Sequence, residues 1–160
     1  MNTLKLEIEF QEYSSIEELD ARDRALVEAA ICAQKGSYAP YSNFNVGAAV
    51  LLDDGTVVTG SNQENAAYPS GLCAERTAMF AASAQNPGKA MLSIAIVGGF
   101  NQTLSDGPCS PCGSCRQVMA EYQTLGKRPM SIILFGTKRT LKFSKVDDIL
   151  PLIFDSFNEK

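Results

Sequence analysis

Two apolar runs, Leu92 to Val97 and Ser131 to Phe135, are too short for helices and lack the regular polar positions of a half-solvated strand. Both read as strands covered on two faces, and such strands need a layer of structure on each side of their sheet. The rest of the chain supplies the layers. Ser15 and Glu18 fit a capping box, and Leu19, Leu26, Ala30 and Ala33 mark one face of a helix that Gly36 can close. Val46 to Leu52 and Thr56 to Gly60 flank Asp53-Asp54-Gly55, the signature of a hairpin. Cys73 to Ala84 is rich in helix formers and stops at Asn86-Pro87-Gly88, and Gly113 to Tyr122 reads as a third helix. At the start, Leu4, Leu6, Ile8 and Phe10 alternate with Lys5, Glu7 and Glu9, the period of a half-buried strand. Val146 to Phe157 is helical or irregular around Pro151. A hairpin followed by alternating helices and strands predicts an α/β fold, a three-layer α/β/α sandwich around a mixed sheet. The 160 residues suffice for one such domain, spanning 1–160 with 1–14 as an N-terminal extension.

Composition removes several function classes. A net charge of −4 and a pI near 4.8 argue against nucleic acid as a partner, since phosphate neutralisation needs a basic surface. No apolar run approaches the length of a bilayer span, and Met1-Asn2-Thr3-Leu4-Lys5 does not open a signal peptide. The expectation is a cytoplasmic protein with no membrane partner. The chain has no histidine at all. That removes the usual general base, the Ser/His and Cys/His nucleophile pairs and the commonest metal ligand. Acid–base chemistry must then fall to carboxylates, and a zinc site must rest on thiolates.

Five cysteines are available: Cys32, Cys73, Cys109, Cys112 and Cys115. In a reducing compartment, clustered cysteines serve metals or catalysis more often than disulfides. Pro111-Cys112-Gly113-Ser114-Cys115 places two of them three apart at the start of a helix, where both can face one ion. A structural zinc ribbon would need a second such pair, and a thioredoxin-like motif would act without a third cysteine. The chain does offer a third, in Cys73-Ala74-Glu75-Arg76, which also opens a helix. Three protein ligands plus one open position is the arrangement of a catalytic zinc. Glu75, two residues after a ligand, can reach the open position without binding the metal.

A segment of Cys-x-Glu followed by Pro-Cys-x-x-Cys is the signature of the zinc deaminases of nucleobases. The likeness extends further. Tyr41-Ser42-Asn43-Phe44-Asn45-Val46-Gly47-Ala48-Ala49, Asn62-Gln63-Glu64-Asn65-Ala66-Ala67-Tyr68-Pro69 and Leu150-Pro151-Leu152-Ile153-Phe154 resemble segments of the small cytidine deaminases. This resemblance, over residues 22 to 154, implies a mostly five-stranded sheet, here with an extra N-terminal strand. It implies one Zn²⁺ per chain on Cys73, Cys112 and Cys115, with Glu75 as the catalytic residue. It also implies a homotetramer that deaminates cytidine and deoxycytidine with water, in pyrimidine salvage. Asn62 and Glu64 would bind ribose hydroxyls, Phe44 and Ala74 would complete the substrate site, and Phe154 would reach a neighbouring subunit's pocket. Phe157 is a rival for that last role. Cys109 also stands three residues before Cys112, but Pro111 and Gly113 frame Cys112 and Cys115 as in the family. Cys109 is expected to pack as a small apolar residue, and Cys32, within Ala29 to Ala33, as core.

The chemistry explains the residue types. Replacing the exocyclic amine of cytosine with oxygen needs a nucleophile at neutral pH and a proton for a poor leaving group. Zinc lowers the pKa of water. Glu75 would take the released proton, deliver it to ring N3, and then protonate the departing amine. Three thiolates leave the metal centre negative, which opposes ionisation of water. Two helix N-termini offset this, as does Arg76, which in the family hydrogen-bonds the cysteine sulfurs. Taken alone Arg76 would read as a surface arginine. A carboxylate at Glu64 would repel phosphate and favour nucleosides over nucleotides. Two other functions fit less of the sequence. One is a deaminase of antibiotic nucleosides of the blasticidin type. The other is a zinc-stabilised binding module without turnover, which leaves Glu75, Asn62 and Glu64 without a purpose.

Overall fold

The computed structural model describes residues 1–155 and contains six strands and three α-helices. In chain order these are β1 (Gln11–Tyr13), α1 (Ala21–Gln34), β2 (Phe44–Leu52), β3 (Val57–Ser61), α2 (Ala74–Gln85), β4 (Met91–Phe100), α3 (Gly113–Gly126), β5 (Ser131–Leu134) and β6 (Thr140–Phe143). The strands form one mixed sheet in the order β1-β6-β5-β4-β2-β3. Only β4 and β5 run parallel. They are joined through α3, as a parallel crossover requires.

Side-chain alternation along the central strands builds the layers. Ala48, Val50 and Leu52 of β2 share one apolar cluster with Ile94 and Ile96 of β4, Ala78 and Met79 of α2, and Met119 of α3. Their neighbours Ala49, Leu51, Ala95 and Val97 face the other way, onto Leu26, Val27 and Ala30 of α1. The three-layer α/β/α sandwich follows, with α1 on one face and α2 and α3 on the other. Each fully buried Val, Leu or Ile contributes about 1.5–3 kcal/mol. Close backbone approach fixes the helix positions. At Gly47 a Cβ would lie 2.1 Å from the Ala30 carbonyl oxygen, and at Gly60 it would lie 2.4 Å from the Ala78 nitrogen. Only glycine lets α1 and α2 sit this near the sheet.

Several elements differ from the sequence reading. Regular strand pairing begins at Gln11, where β1 joins β6, so the alternating segment Thr3 to Phe10 precedes the strand rather than forming it. Ser15 caps only a 3₁₀ turn, Ile16–Glu18, and α1 starts later on Asp20, whose side chain accepts from the Asp23 N–H. β4 runs on through Gly98-Gly99 to Phe100 because β2 pairs with it as far as Phe44. β6 is not apparent in the sequence, because Thr140–Phe143 has no continuous apolar run and owes its strand state to pairing with β5 and β1. Val146–Asp148 is a 3₁₀ turn followed by irregular chain. Cys32 is exposed, not core, because it lies on the outer side of α1 from Leu26, Val27 and Ala30.

Candidate active site

Both cysteine segments sit where a loop turns into a helix. Cys73 is the N-cap of α2 and Cys112 the N-cap of α3, each with extended backbone angles and neither side chain spent on capping. Their thiols are therefore free to point at a common centre. Cys115, one turn into α3 and fully buried, supplies the third sulfur. Cys112 Sγ lies 3.5 Å from Cys115 Sγ and 3.9 Å from Cys73 Sγ, and all three sulfurs fall within 4.8 Å of one another. Among the described residues this is the one cluster of three such side chains able to hold a metal ion. The donor set fits zinc: three soft thiolates, two helix N-termini favouring their charge, and no fourth protein ligand.

Electrostatics around the cluster point the same way. A hydrogen bond from Cys115 holds the Cys73 thiol down at about 5, with help from Arg76, and the Cys115 thiol is raised in turn. Arg76 Nη2 donates to Cys73 Sγ at 3.7 Å, while its buried Nε has no protein partner. Glu75 is only 4% exposed, and burial raises its carboxyl to about 6, with the Cys73 charge adding to the effect. A carboxylate tucked beside thiols and away from water is placed to hold a proton. Cys109 stands apart from the ligands. Burial pushes its thiol up to about 12, and it packs against the core beside Gly98, where a Cβ would meet its sulfur at 2.6 Å. It behaves as the small apolar residue expected.

A cleft of about 500 Å³ opens beside Cys73 and Arg76, lined also by Tyr41, Ser42, Asn62, Glu64 and Tyr68. Asn62 and Glu64 are already engaged with the protein. Asn62 Oδ1 accepts from the Val46 N–H at 2.8 Å, and its Nδ2 donates to the Phe44 carbonyl at 2.9 Å. That leaves one N–H and one lone pair for a ligand. Glu64 accepts from the Ser42 hydroxyl and from the N–H groups of Tyr41 and Ser42, and these bonds, the hydroxyl's first, lower its pKa. It faces the cleft as an anion.

Other expected site residues lie outside this lining. Phe44 opens β2, edge-to-face on Phe100 with centroids 4.9 Å apart, and joins the cleft through its backbone, its carbonyl accepting from Asn62 and its N–H donating to the Ser42 hydroxyl at 3.0 Å. Ala74, the first residue of α2, is fully buried in the core and does not line the cleft. Phe154 is 64% exposed in the C-terminal tail and is not among the residues that line its own chain's cleft. Gln117 ties it to α3, donating to the Phe154 carbonyl at 2.9 Å and accepting from its N–H at 3.3 Å. Phe157 lies outside the described residues. Arg116 was missed in the sequence, where it reads as an ordinary helix arginine. Its Nε donates to the Pro111 carbonyl at 3.0 Å and its Nη1 to the Ile149 carbonyl at 2.8 Å, so it braces both the Cys112 segment and the tail.

Residues 20–127 match the profile of the cytidine and deoxycytidylate deaminase zinc-binding region. The chain belongs to this deaminase family. The match includes all three clustered cysteines, Glu75, Arg76, Asn62, Glu64 and Phe44, and leaves out the N-terminal segment and Phe154. A cytidine deaminase of Halalkalibacterium halodurans is 48% identical over 129 residues, covering 81% of this chain and 91% of that protein. The crystal structure of cytidine deaminase from Burkholderia pseudomallei is 45% identical, with a TM-score of 0.69 over 81% of this chain and 97% of that one. That of cytidine deaminase from Mycobacterium tuberculosis is 36% identical, with a TM-score of 0.66 over 86% and 99%. Zinc is thus the metal that the deaminase fold and the Cys73, Cys112 and Cys115 cluster call for.

Proposed function

We propose that this chain is a zinc-dependent cytidine deaminase, converting cytidine and 2′-deoxycytidine with water to uridine and 2′-deoxyuridine and ammonia. The observation that carries the reading is the buried Glu75 carboxyl beside three thiols converging from two helix starts. Cys73, Cys112 and Cys115 would hold one zinc per chain. Zinc bound there supplies the Lewis acidity that makes water a nucleophile at neutral pH. Glu75 takes one proton from water and passes it to ring N3, then takes the proton of the new C4 hydroxyl and gives it to the exocyclic nitrogen as the C4–N bond breaks. Burial excludes competing water from that carboxylate, so it serves as base and then as acid. Arg76 offsets the thiolate charge through Cys73. The remaining N–H and lone pair of Asn62, together with Glu64, take sugar hydroxyls, and the fixed anion at Glu64 turns phosphates away. Ala74 would contact the substrate through its backbone.

Phe44 and Phe154 need a wider frame. Phe154, exposed and fastened to α3 by Gln117, is presented outward and suits a pocket on a neighbouring subunit of a homotetramer. Phe44 would approach the base from the start of β2. The chain would act as one domain with residues 1–14 as an extension, in the cytoplasm. No described helix is long and apolar enough to cross a membrane. The direct test is incubation with cytidine, following loss of its ultraviolet absorbance and release of ammonia. Turnover should require zinc, disappear with the metal in Cys112→Ala, and survive in Cys109→Ala. Zinc retention in Cys112→Ala with loss in Cys109→Ala would assign the ligand to the other cysteine.

A further inference from the structure

The segment before β1 has the pattern of a one-sided strand and no surface to cover. Leu4, Leu6 and Ile8 are 92%, 65% and 46% exposed, although they occupy alternate positions as core-facing residues do. Only Phe10 is anchored, its ring 5.4 Å from that of Phe143. This contact continues the β1–β6 register, in which Gln11 faces Lys142 and Tyr13 faces Thr140. Residues 4–8 lead into this edge strand and pair with no strand among the described residues. Such an edge is a template for another strand. Lys5 and Glu7 form an exposed ion pair at 2.7 Å, and alternation along an extended chain puts them on the opposite side from the leucines.

We infer that residues 4–8 pair antiparallel with the same residues of a second copy of this chain, about a two-fold axis through Leu6. The sequence is complementary to itself around that residue. Lys5 and Glu7 stand at equal distances on either side, so each Lys5 falls opposite the Glu7 of the other copy. Leu4 falls opposite Ile8, and Leu6 opposite Leu6. Every apolar side chain then lies on one face of the ribbon and every charge on the other, and the Lys5–Glu7 pair forms twice by symmetry. A two-fold contact of this kind uses one patch twice, which is the simplest way to cover an edge strand. Main-chain hydrogen bonds across the ribbon satisfy backbone groups that β6, ending at Phe143, does not reach. A partner of different sequence would have no reason to match a charge order symmetric about Leu6.

The pairing involves neither the zinc ligands nor Phe154, so cross-linking reads it separately from activity. In the zinc-loaded protein, with the exposed Cys32 changed to Ser, Leu6→Cys should form a disulfide between copies under mild oxidation. Ile8→Cys alone should not, but should cross-link when mixed with Leu4→Cys. Adding Lys5→Glu to the Leu6→Cys protein places like charges opposite each other. The cross-linking rate should then fall roughly tenfold, and adding Glu7→Lys as well should restore it. Zinc content and deaminase activity should stay unchanged throughout, which shows that each variant is folded. Cross-linking of Ile8→Cys alone, no cross-linking of Leu6→Cys, or no rescue by the charge swap would each overturn the pairing.

Discussion

Arg116 Nη1 donates to the Ile149 carbonyl at 2.8 Å while its Nε holds the Pro111 carbonyl at 3.0 Å. One guanidinium thus joins the loop that presents Cys112 to the tail that carries Phe154. Removing it should loosen both at once. Arg116→Ala is expected to weaken zinc retention by about 10–100-fold, the range for groups that orient metal ligands. Competition with a chromogenic chelator measures this. Unchanged zinc affinity would mean that the helix N-terminus positions Cys112 unaided.

Glu75→Gln keeps the shape and burial of the side chain but cannot carry the proton. Zinc should remain at one per chain while turnover falls at least ~10²-fold. Near-normal turnover would assign the proton transfers to another carboxylate, such as Glu64, which lines the cleft. Arg76→Gln should be milder. With less positive charge at Cys73, water is harder to ionise, so the rate should drop and recover in part at higher pH. An unshifted pH–rate profile would remove Arg76 from the charge balance.

The bonds that Glu64 accepts from Ser42 and Tyr41 stabilise its anion and lower its pKa below the usual 4.5. A lowered pKa in the folded state means stability that is full above 4.5 and lost as pH falls through the folded value. Glu64→Gln should therefore be less stable than wild type near neutrality, and the gap should close in acid. Urea unfolding of both proteins at pH 7 and pH 3 reads the difference, since acid release of zinc affects each alike. A gap independent of pH would mean that the carboxylate charge does not hold the Tyr41–Ser42 loop.

Phe154→Ala and Glu75→Ala should each be nearly inactive, with their defects in different chains of an oligomer. Unfolding them together and refolding should place some intact Glu75 chains beside chains with an intact Phe154. With random assembly and one donor per pocket, roughly a quarter of the sites would hold both groups. Activity should reappear in the mixture. If mixed oligomers form and stay inactive, Phe154 serves its own chain or no site.

How much of this was legible beforehand depended on whether the cause was local. The Cys73 and Cys112 segments, Asp53-Asp54-Gly55 and Asn86-Pro87-Gly88 act through neighbouring backbone, and the structure keeps them as a pair of helix starts, a hairpin turn and a helix end. At the two turns Gly55 and Gly88 take φ of 88° and 81°, conformations that glycine alone adopts cheaply. The apolar runs Leu92 to Val97 and Ser131 to Phe135 likewise fixed three layers, because a strand apolar on both sides can lie nowhere else. What the chain order concealed was pairing and direction. β6 is four residues whose strand state comes from β5 and β1, and β4 outruns its apolar stretch because β2 lies alongside. Cys32 looked like core because its neighbours in sequence are apolar, but a helix turns by 100° per residue and this one faces out. Arg116 was invisible for a related reason: its partners, five and 33 positions away, meet it only once α3 and the tail are packed. Local chemistry pointed to the three cysteines that the structure brings together and to the buried Glu75. Only the tertiary structure decided which side chains brace them, since contacts between distant segments leave no mark on the sequence around either one.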